Sequence, residues 1–219
     1  PERRGGDADA ALFDAALERA IDLLEGRGLE PDEADAQRER LLAGFRWILV
    51  DEYQDIGDGQ YRLIAALAGR ALADAERRLG LFAVGDDDQN IYAFAGASVE
   101  YIRRFEADYQ ARSAYLTRNY RSSAHIVEAA NALIEPAPGR LKAGHPITVD
   151  DARLHDAPGG RWQVLDPVAA GRVQRLTVAR EGDAEITQAI AAVTELRRLA
   201  TLDPGWRWER CAVIAREWR

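Results

Sequence analysis

The segment WILVDEYQD, residues 47–55, decides the fold class of this chain. Its first four residues form a short apolar run, which is typical of a strand buried on both faces in a parallel sheet. Two carboxylates follow directly, and open α/β sheets bind ligands at the carboxyl ends of their strands. We therefore predict a buried strand over 47–50 with a ligand site at its end.

The acid pair that ends this strand has two interpretations. Asp51 can hold Mg²⁺ through water, and Glu52 can position or deprotonate an attacking water. Acids after a strand can equally form a solvated turn, and so short a pattern recurs by chance. The pair alone therefore does not decide between a catalytic site and a turn.

A second predicted strand, 81–84, is followed by the segment GDDDQNIYAFAGA at 85–97. Its three adjacent aspartates repel one another, so folding gains from them only where a cation or a basic groove is near. Gln89 is a neutral donor and acceptor that can sense a phosphate. Tyr92 and Phe94 lie in a turn rich in glycine and alanine. There they can stack on the bases of a single strand, or else belong to the core.

A third segment, LTRNYRSS at 116–123, ends a predicted strand and opens a predicted helix. Helix-start N–H groups and an arginine favour an anion. Arg121 can reach a γ-phosphate and Tyr120 can stack on a purine. The alternative is an ordinary helix cap with a surface arginine.

Strands and helices alternate along the chain, which predicts an α/β fold with a mainly parallel sheet. We predict helices over 8–27, 31–43, 59–79, 98–109 and 181–200, and a further helix that Ser122 or Ser123 caps and that ends at Ile134. We predict strands over 47–50, 81–84, 114–116, 174–179 and 211–215. Prolines and glycines at 135–161 predict an irregular connection.

Composition limits the function classes. The 219 residues, 47% of them hydrophobic, suffice for one or two cores. A net charge of −8 argues weakly against a nucleic-acid binder, although a motor can bind DNA in a local groove. The single cysteine, Cys211, excludes a disulfide framework. We expect a cytoplasmic protein, because neither a membrane span nor a signal peptide is evident. The chain lacks methionine and opens with Pro1, so we expect a segment of a longer protein.

Three motifs together resemble the UvrD, Rep and PcrA helicases. DEYQD at 51–55, GDDDQNIYAFAGA at 85–97 and LTRNYRSS at 116–123 match the family's DExQD, GDxDQxIYxFRGA and LxxNYRS motifs in order. LFD at 12–14 and AVIAR at 212–216 resemble flanking family segments, so the resemblance covers nearly the whole chain. The stretch from Ala97 to Pro146 also resembles UvrD-like modules fused to RecQ-type helicases.

The resemblance implies a RecA-like fold of the P-loop NTPase type, with a parallel sheet and flanking helices. Residues 1–111 would end the first motor domain, and residues 112–219 would begin the second. The sheet would be incomplete because it lacks the P-loop strand, and the rest of the full-length chain would supply the missing parts. The implied activity is that of an ATP-dependent DNA helicase involved in DNA repair. It couples Mg²⁺-ATP hydrolysis to translocation on single-stranded DNA and to unwinding at duplex junctions.

The family's nucleotide roles carry over by position. The resemblance makes Asp51 the Mg²⁺ ligand, Glu52 the catalytic base and Gln89 the contact to the γ-phosphate. It makes Tyr120 the residue that stacks on adenine. Arg121 would be the arginine finger that the second motor domain supplies.

The family's DNA contacts carry over to Tyr92 and Phe94, with Phe94 as the stacking platform. The sequence departs from the family pattern at two places, one among the DNA contacts and one in the nucleotide site. Ala95 replaces the family's arginine, and no Gly-Lys-Ser/Thr loop is present, since the only lysine, Lys142, precedes an alanine. We therefore expect the isolated chain to be inactive as an ATPase. The runner-up is a degenerate module that binds DNA or a partner protein without hydrolysing ATP.

Overall fold

The structure is a computed structural model that describes residues 3–153, 156–178 and 184–214. These residues form two compact units. The first contains the described residues up to Ala114 together with Gly139–Leu141. The second contains Tyr115–Pro138 and the described residues from Lys142 onward. The assignment of 1–111 and 112–219 to two motor domains stays a prediction.

Helices and one parallel strand pair build the first unit. The elements are α1 (Arg3–Glu25), α2 (Pro31–Leu41), β1 (Trp47–Val50), α3 (Asp58–Ala68), β2 (Gly80–Ala83) and α4 (Glu100–Tyr109). The prediction of a helix to residue 79 is wrong, because Gly69 ends α3 in the left-handed conformation that favours glycine. The other first-unit helices and both strands lie where the sequence predicts them, within a few residues at their ends.

Strands β1 and β2 run parallel, with Trp47 opposite Gly80 and Val50 opposite Ala83. The pairing continues beyond the strands, because Val84 N donates to Val50 O at 2.8 Å and Tyr53 N donates to Val84 O at 2.9 Å. Both acidic segments therefore leave the sheet side by side, at its carboxyl edge.

Only one face of this sheet is covered. Its core contains Tyr53, Ile56, Tyr61 and Ile64, with Val50, Leu81, Ala83, Tyr101, Ile102 and Phe105 packed around them. On the other face Trp47, Leu49 and Phe82 are 66%, 75% and 57% exposed. The prediction that the first strand is buried on both faces is therefore wrong for this chain, because no described element packs over the second face.

The second unit contains β3 (Arg118–Asn119), α5 (Ala124–Ile134), β4 (Thr148–Val149), α6 (Trp162–Leu165) and α7 (Ala184–Leu202). β3 and β4 pair in parallel. The Asn131 side chain fixes α5 to the residue before β4, because its Nδ2 donates to Ile147 O at 2.7 Å.

Sequence reasoning was less accurate for this unit. Residues 114–116 are not a strand, and the strand instead begins at Arg118. Residues 174–178 and 211–214 are not strands either, while Ala179 and Ala215 lie outside the described residues. The predicted parallel pairing is confirmed in the described part of the chain, where the strands form two separate two-stranded parallel sheets. None of the described helices combines the length and apolar character that crossing a membrane requires.

Candidate functional site

The acid pair lies in a tight turn directly after β1. Asp51 and Glu52 are both exposed. Glu52 has left-handed backbone angles, φ 52° and ψ 44°, and its N–H donates to Asp51 Oδ1 at 2.9 Å. This conformation costs a residue with a Cβ about 1–2 kcal/mol. The turn therefore keeps two carboxylates at the sheet edge at a cost in stability, as strained functional sites often do.

Gln54 connects the two acidic segments. Its side chain is 1% exposed. Its Nε2 donates to Glu52 Oε2 at 2.7 Å, and its Oε1 accepts from Asp86 N at 2.9 Å. Its backbone oxygen accepts from Asn90 Nδ2 at 2.6 Å. One buried amide thus fixes the position of Glu52 against the segment that carries Gln89.

Gly85 leaves the space that Gln54 occupies. A Cβ at position 85 would lie 2.8 Å from both Gln54 Oε1 and Ile102 Cδ1. Any side chain there would displace the buried amide or the packing behind it. The glycine that begins the second motif therefore has a steric role in joining the two segments.

The aspartates after β2 form a short 3₁₀ turn, Asp87–Gln89, in which Asp86 accepts two internal hydrogen bonds. Its Oδ1 accepts from Asp88 N at 3.1 Å, and its Oδ2 accepts from Gln89 Nε2 at 2.7 Å. Carboxylate oxygens of Asp86, Asp87 and Asp88 lie within 4.8 Å of one another. Asp86 thus holds the amide that the sequence assigns to phosphate sensing.

The cation that these aspartates require is Arg140. Its guanidinium donates from Nε to Asp88 Oδ1 at 2.8 Å and from a terminal nitrogen to Oδ2 at 2.7 Å. Sequence reasoning anticipated a cation but missed this residue. The repulsion among the three aspartates indicates that a cation is needed. The residues near them in the sequence do not identify the arginine that pairs with Asp88, which lies 52 residues away.

The two predicted DNA-contacting aromatics are solvent-exposed. Phe94 is 86% exposed and Tyr92 is 48% exposed, with their ring centroids 6.2 Å apart. Ala97, just beyond them, is buried. In this chain neither ring belongs to the core, so both meet the first requirement of a stacking surface.

Tyr120 and Arg121 belong to the second unit, and both are exposed. The Asn119 carboxamide oxygen accepts from Arg121 N at 3.0 Å and from Ser122 N at 2.7 Å, which fixes the turn. Ser123 is the N-cap residue of α5, without a side-chain capping bond. The structure thus brings Asp51, Glu52 and Gln89 together in the first unit, and it places Tyr120 and Arg121, the other residues predicted to contact the nucleotide, on one turn of the second.

The donors in the first unit fit the expected magnesium nucleotide in part. An exposed carboxylate at the end of a parallel strand suits Mg²⁺, which takes few protein ligands when phosphates and water supply the rest. A glycine-rich loop with lysine, which would hold the phosphates, is absent from the sequence. Asp51 could thus hold the metal, while the phosphate cradle would have to come from elsewhere.

The sequence of this chain is similar to that of known helicases. Residues 8–110 match the model of the UvrD/REP helicase N-terminal domain. Over 140 residues the chain is 41% identical to the ATP-dependent DNA helicase UvrD1 of Mycobacterium tuberculosis, an alignment that covers 64% of this chain and 17% of that protein. Over 109 residues it is 49% identical to DNA helicase II of Escherichia coli, covering 49% of this chain and 14% of that protein.

The chain therefore contains a segment of the UvrD/REP helicase type, which lies within residues 8–110. The chain spans less than a fifth of the length of these curated relatives, 17% and 14% in the two cases above. The match includes both acidic segments, which lie within residues 8–110.

Proposed function

We propose that this chain is a segment of an ATP-dependent DNA helicase that couples Mg²⁺-ATP hydrolysis to movement along single-stranded DNA and to unwinding at duplex junctions. The observation that carries the proposal is the hydrogen-bonded network in which Gln54 ties Glu52 to the Asp86 segment. A solvated turn would not need a buried amide shared between two motifs. A cytoplasmic location and a role in DNA repair belong to the same proposal and rest on the family resemblance.

The nucleotide roles are assigned from the family resemblance, and the hydrogen bonds around Glu52 and Gln89 support them. Asp51 holds Mg²⁺, which when bound neutralises charge on the transferred phosphoryl group. Glu52 accepts a proton from the attacking water, and its hydrogen bond from Gln54 fixes the carboxylate without protonating it. Gln89 contacts the γ-phosphate. Tyr120 stacks on adenine, and Arg121 adds positive charge in the transition state.

The DNA roles are assigned to the exposed aromatics. Phe94 stacks on a base, with Tyr92 beside it, and stacking of this kind contributes about 1–3 kcal/mol per base. Phe94→Ala in the full-length helicase is therefore expected to weaken single-strand binding with little change in nucleotide affinity. Fluorescence anisotropy with a labelled oligonucleotide measures the effect.

The decisive test of the enzyme is Glu52→Gln in the full-length helicase. The amide keeps an acceptor oxygen for Gln54 but cannot take a proton from water. ATP turnover should fall about 10²- to 10⁴-fold, the usual contribution of a general base, while ATP binding persists. Glu76→Gln, at an exposed position of the same unit, is the matched control and should leave turnover unchanged.

A loss of less than about tenfold, roughly 1.4 kcal/mol, would show that another residue is the base. Absence of ATP turnover in the wild-type full-length protein would instead favour the alternative, a module that binds DNA or a partner protein without hydrolysing ATP. The isolated chain should show no ATPase activity, because it lacks the phosphate-holding loop. DNA-stimulated hydrolysis by purified residues 1–219 would contradict that expectation.

A further inference from the structure

A three-residue segment from a distant part of the chain packs against the triple-aspartate turn. Gly139–Leu141 belongs to the first unit, although the chain on both sides of it belongs to the second. Arg140 holds both oxygens of Asp88, and Leu141 N donates to Asp87 Oδ2 at 2.8 Å. Two of the three aspartates are thus held by one short segment.

The ion pair at the centre of this contact is largely shielded from water. The side chains of Arg140 and Asp88 are each 12% exposed. Two parallel N–H···O bonds to a carboxylate form the strongest and most directional arrangement open to arginine. Most other ion pairs of the first unit are far more exposed, as with Arg62 and Glu18 at 36% and 48%. Exposed pairs of that kind stabilise little.

The pair bears directly on the position of Gln89. Asp88 precedes Gln89 in the same 3₁₀ turn, and both donate to the carboxylate of Asp86. Fixing Asp88 from outside therefore restricts the rotation of the turn that presents the Gln89 amide. Both carboxylate oxygens of Asp88 accept hydrogen bonds from the Arg140 guanidinium. This positive charge offsets the repulsion among the three adjacent aspartates.

We propose that Arg140 is a positioning residue for Gln89, acting through Asp88 to hold the phosphate-sensing turn in its working orientation. This inference rests on the proposed function, because it assigns a role in ATP turnover to a residue outside the family motifs. Arg140 need not touch the nucleotide. Its contribution depends on the planar fork, which lysine cannot reproduce.

The test uses Arg140→Lys and Asp88→Asn, singly and together, in the full-length helicase. Arg140→Lys should lower kcat about 10- to 100-fold, the usual result of displacing a catalytic group by about 1 Å. KM for ATP should change little, because Gln89 acts on the transferred phosphate. Arg62→Lys, which breaks an exposed bidentate pair in the same unit, is the matched control and should leave kcat unchanged.

The double variant separates positioning from general stability. If Arg140 acts through Asp88, the double variant should be no slower than the slower single variant, because each change breaks the same contact. A near-normal kcat for Arg140→Lys, or fully additive losses in the double variant, would overturn the inference. If the variants melt close to the wild-type temperature, the result supports the positioning role. If their loss of kcat disappears when ATP turnover is assayed well below their melting temperature, the result overturns it. Absence of ATP turnover in the wild type would instead overturn the proposed function, so the two failures are distinguishable.

Discussion

The two units of this chain are stabilised by different kinds of contact. In the first, apolar side chains of α1, α3 and the sheet form two buried clusters around Ile21 and Tyr53. In the second, Val127 is the only buried apolar side chain among the described residues, whereas Asp166 and Asp203 are buried. The first unit therefore has a buried apolar core, whereas the buried side chains described in the second are mainly carboxylates paired with arginine.

Each of the two buried aspartates of the second unit forms an ion pair with an arginine. Asp166 accepts from Arg198 at 2.6 Å and from the backbone N–H groups of Val168 and Ala169, both at 3.2 Å. Asp203 accepts from Arg161 and from Gly205 N. Buried charges of this kind add little net stability while paired, but removing one partner destabilises the fold. The stability of the two units should therefore respond differently to mutation and to pH.

The strongest change is expected from a variant that tests whether Arg121, in the second unit, takes part in ATP hydrolysis. Arg121→Lys in the full-length helicase keeps the charge but loses the fork that an arginine finger uses. ATP turnover should fall about 10³-fold or more, with little change in melting temperature. DNA-stimulated ATPase kinetics measure it. Near-normal turnover would leave Arg121 as a surface arginine, and the catalytic role would then belong to the first unit alone.

A second variant, Ile64→Ala, tests how much the apolar core of the first unit contributes to the free energy of unfolding. Ile64→Ala should lower the free energy of unfolding by about 2–5 kcal/mol, through lost burial and the cavity it leaves. Leu49→Ala removes a similar side chain from the uncovered face of β1 and is the control, with a change below about 0.5–1 kcal/mol. Urea titration of the isolated chain measures both. Equal losses would mean that the face bearing Leu49 is covered in solution.

Val127→Ala tests how little apolar packing the second unit contains. Removing two buried methyl groups should lower the free energy of unfolding by about 1–2 kcal/mol, less than Ile64→Ala costs the first unit. Urea titration monitored by tryptophan fluorescence reports on this unit, since Trp162, Trp206 and Trp208 pack edge to face within it. A loss as large as that of Ile64→Ala would contradict the difference between the units.

The smallest effect is a change in how stability depends on pH in the acid range, separate from the destabilisation that removing Asp166 from its ion pair causes at every pH. The hydrogen bond from Arg198 lowers the pKa of Asp166 below its ordinary value, and the backbone N–H groups of Ala169 and Val168 act in the same direction. A lowered folded-state pKa stabilises the fold above the unfolded value, about 3.9, and this stabilisation is lost as pH falls through the folded pKa. Asp166→Asn should therefore flatten the decline of stability below about pH 4. Glu128→Gln, at an exposed position, is the control, and an unaltered pH profile for Asp166→Asn would refute the assignment.

The sequence predicted the first unit well because its signals are local. The apolar runs at 47–50 and 81–84 pair as expected, and the segments after them meet at one sheet edge. Helical periodicity located α1, and Pro31 located the start of α2. The exposure of Leu49 could not be foreseen, because burial on the second face depends on packing partners that a strand's own residues do not specify.

The second unit and the Arg140 contact were less predictable, for related reasons. A predicted strand forms only if it pairs with another strand, and in the described residues the segments 174–178 and 211–214 have no strand partner. Likewise the three aspartates indicate that a cation is required, but its identity depends on a contact between positions 88 and 140. Long-range contacts of this kind leave no periodic signal in the sequence.

We propose that the two acidic segments form one catalytic site because Gln54 joins them. The most direct measurement is the DNA-stimulated ATP turnover of Gln54→Leu in the full-length helicase, since leucine keeps much of the buried volume but makes neither side-chain hydrogen bond. We expect kcat to fall at least about tenfold in a variant that remains folded by circular dichroism. Gln188→Leu on the exposed surface of α7 should leave kcat unchanged. A folded Gln54→Leu variant with wild-type turnover would contradict the claim.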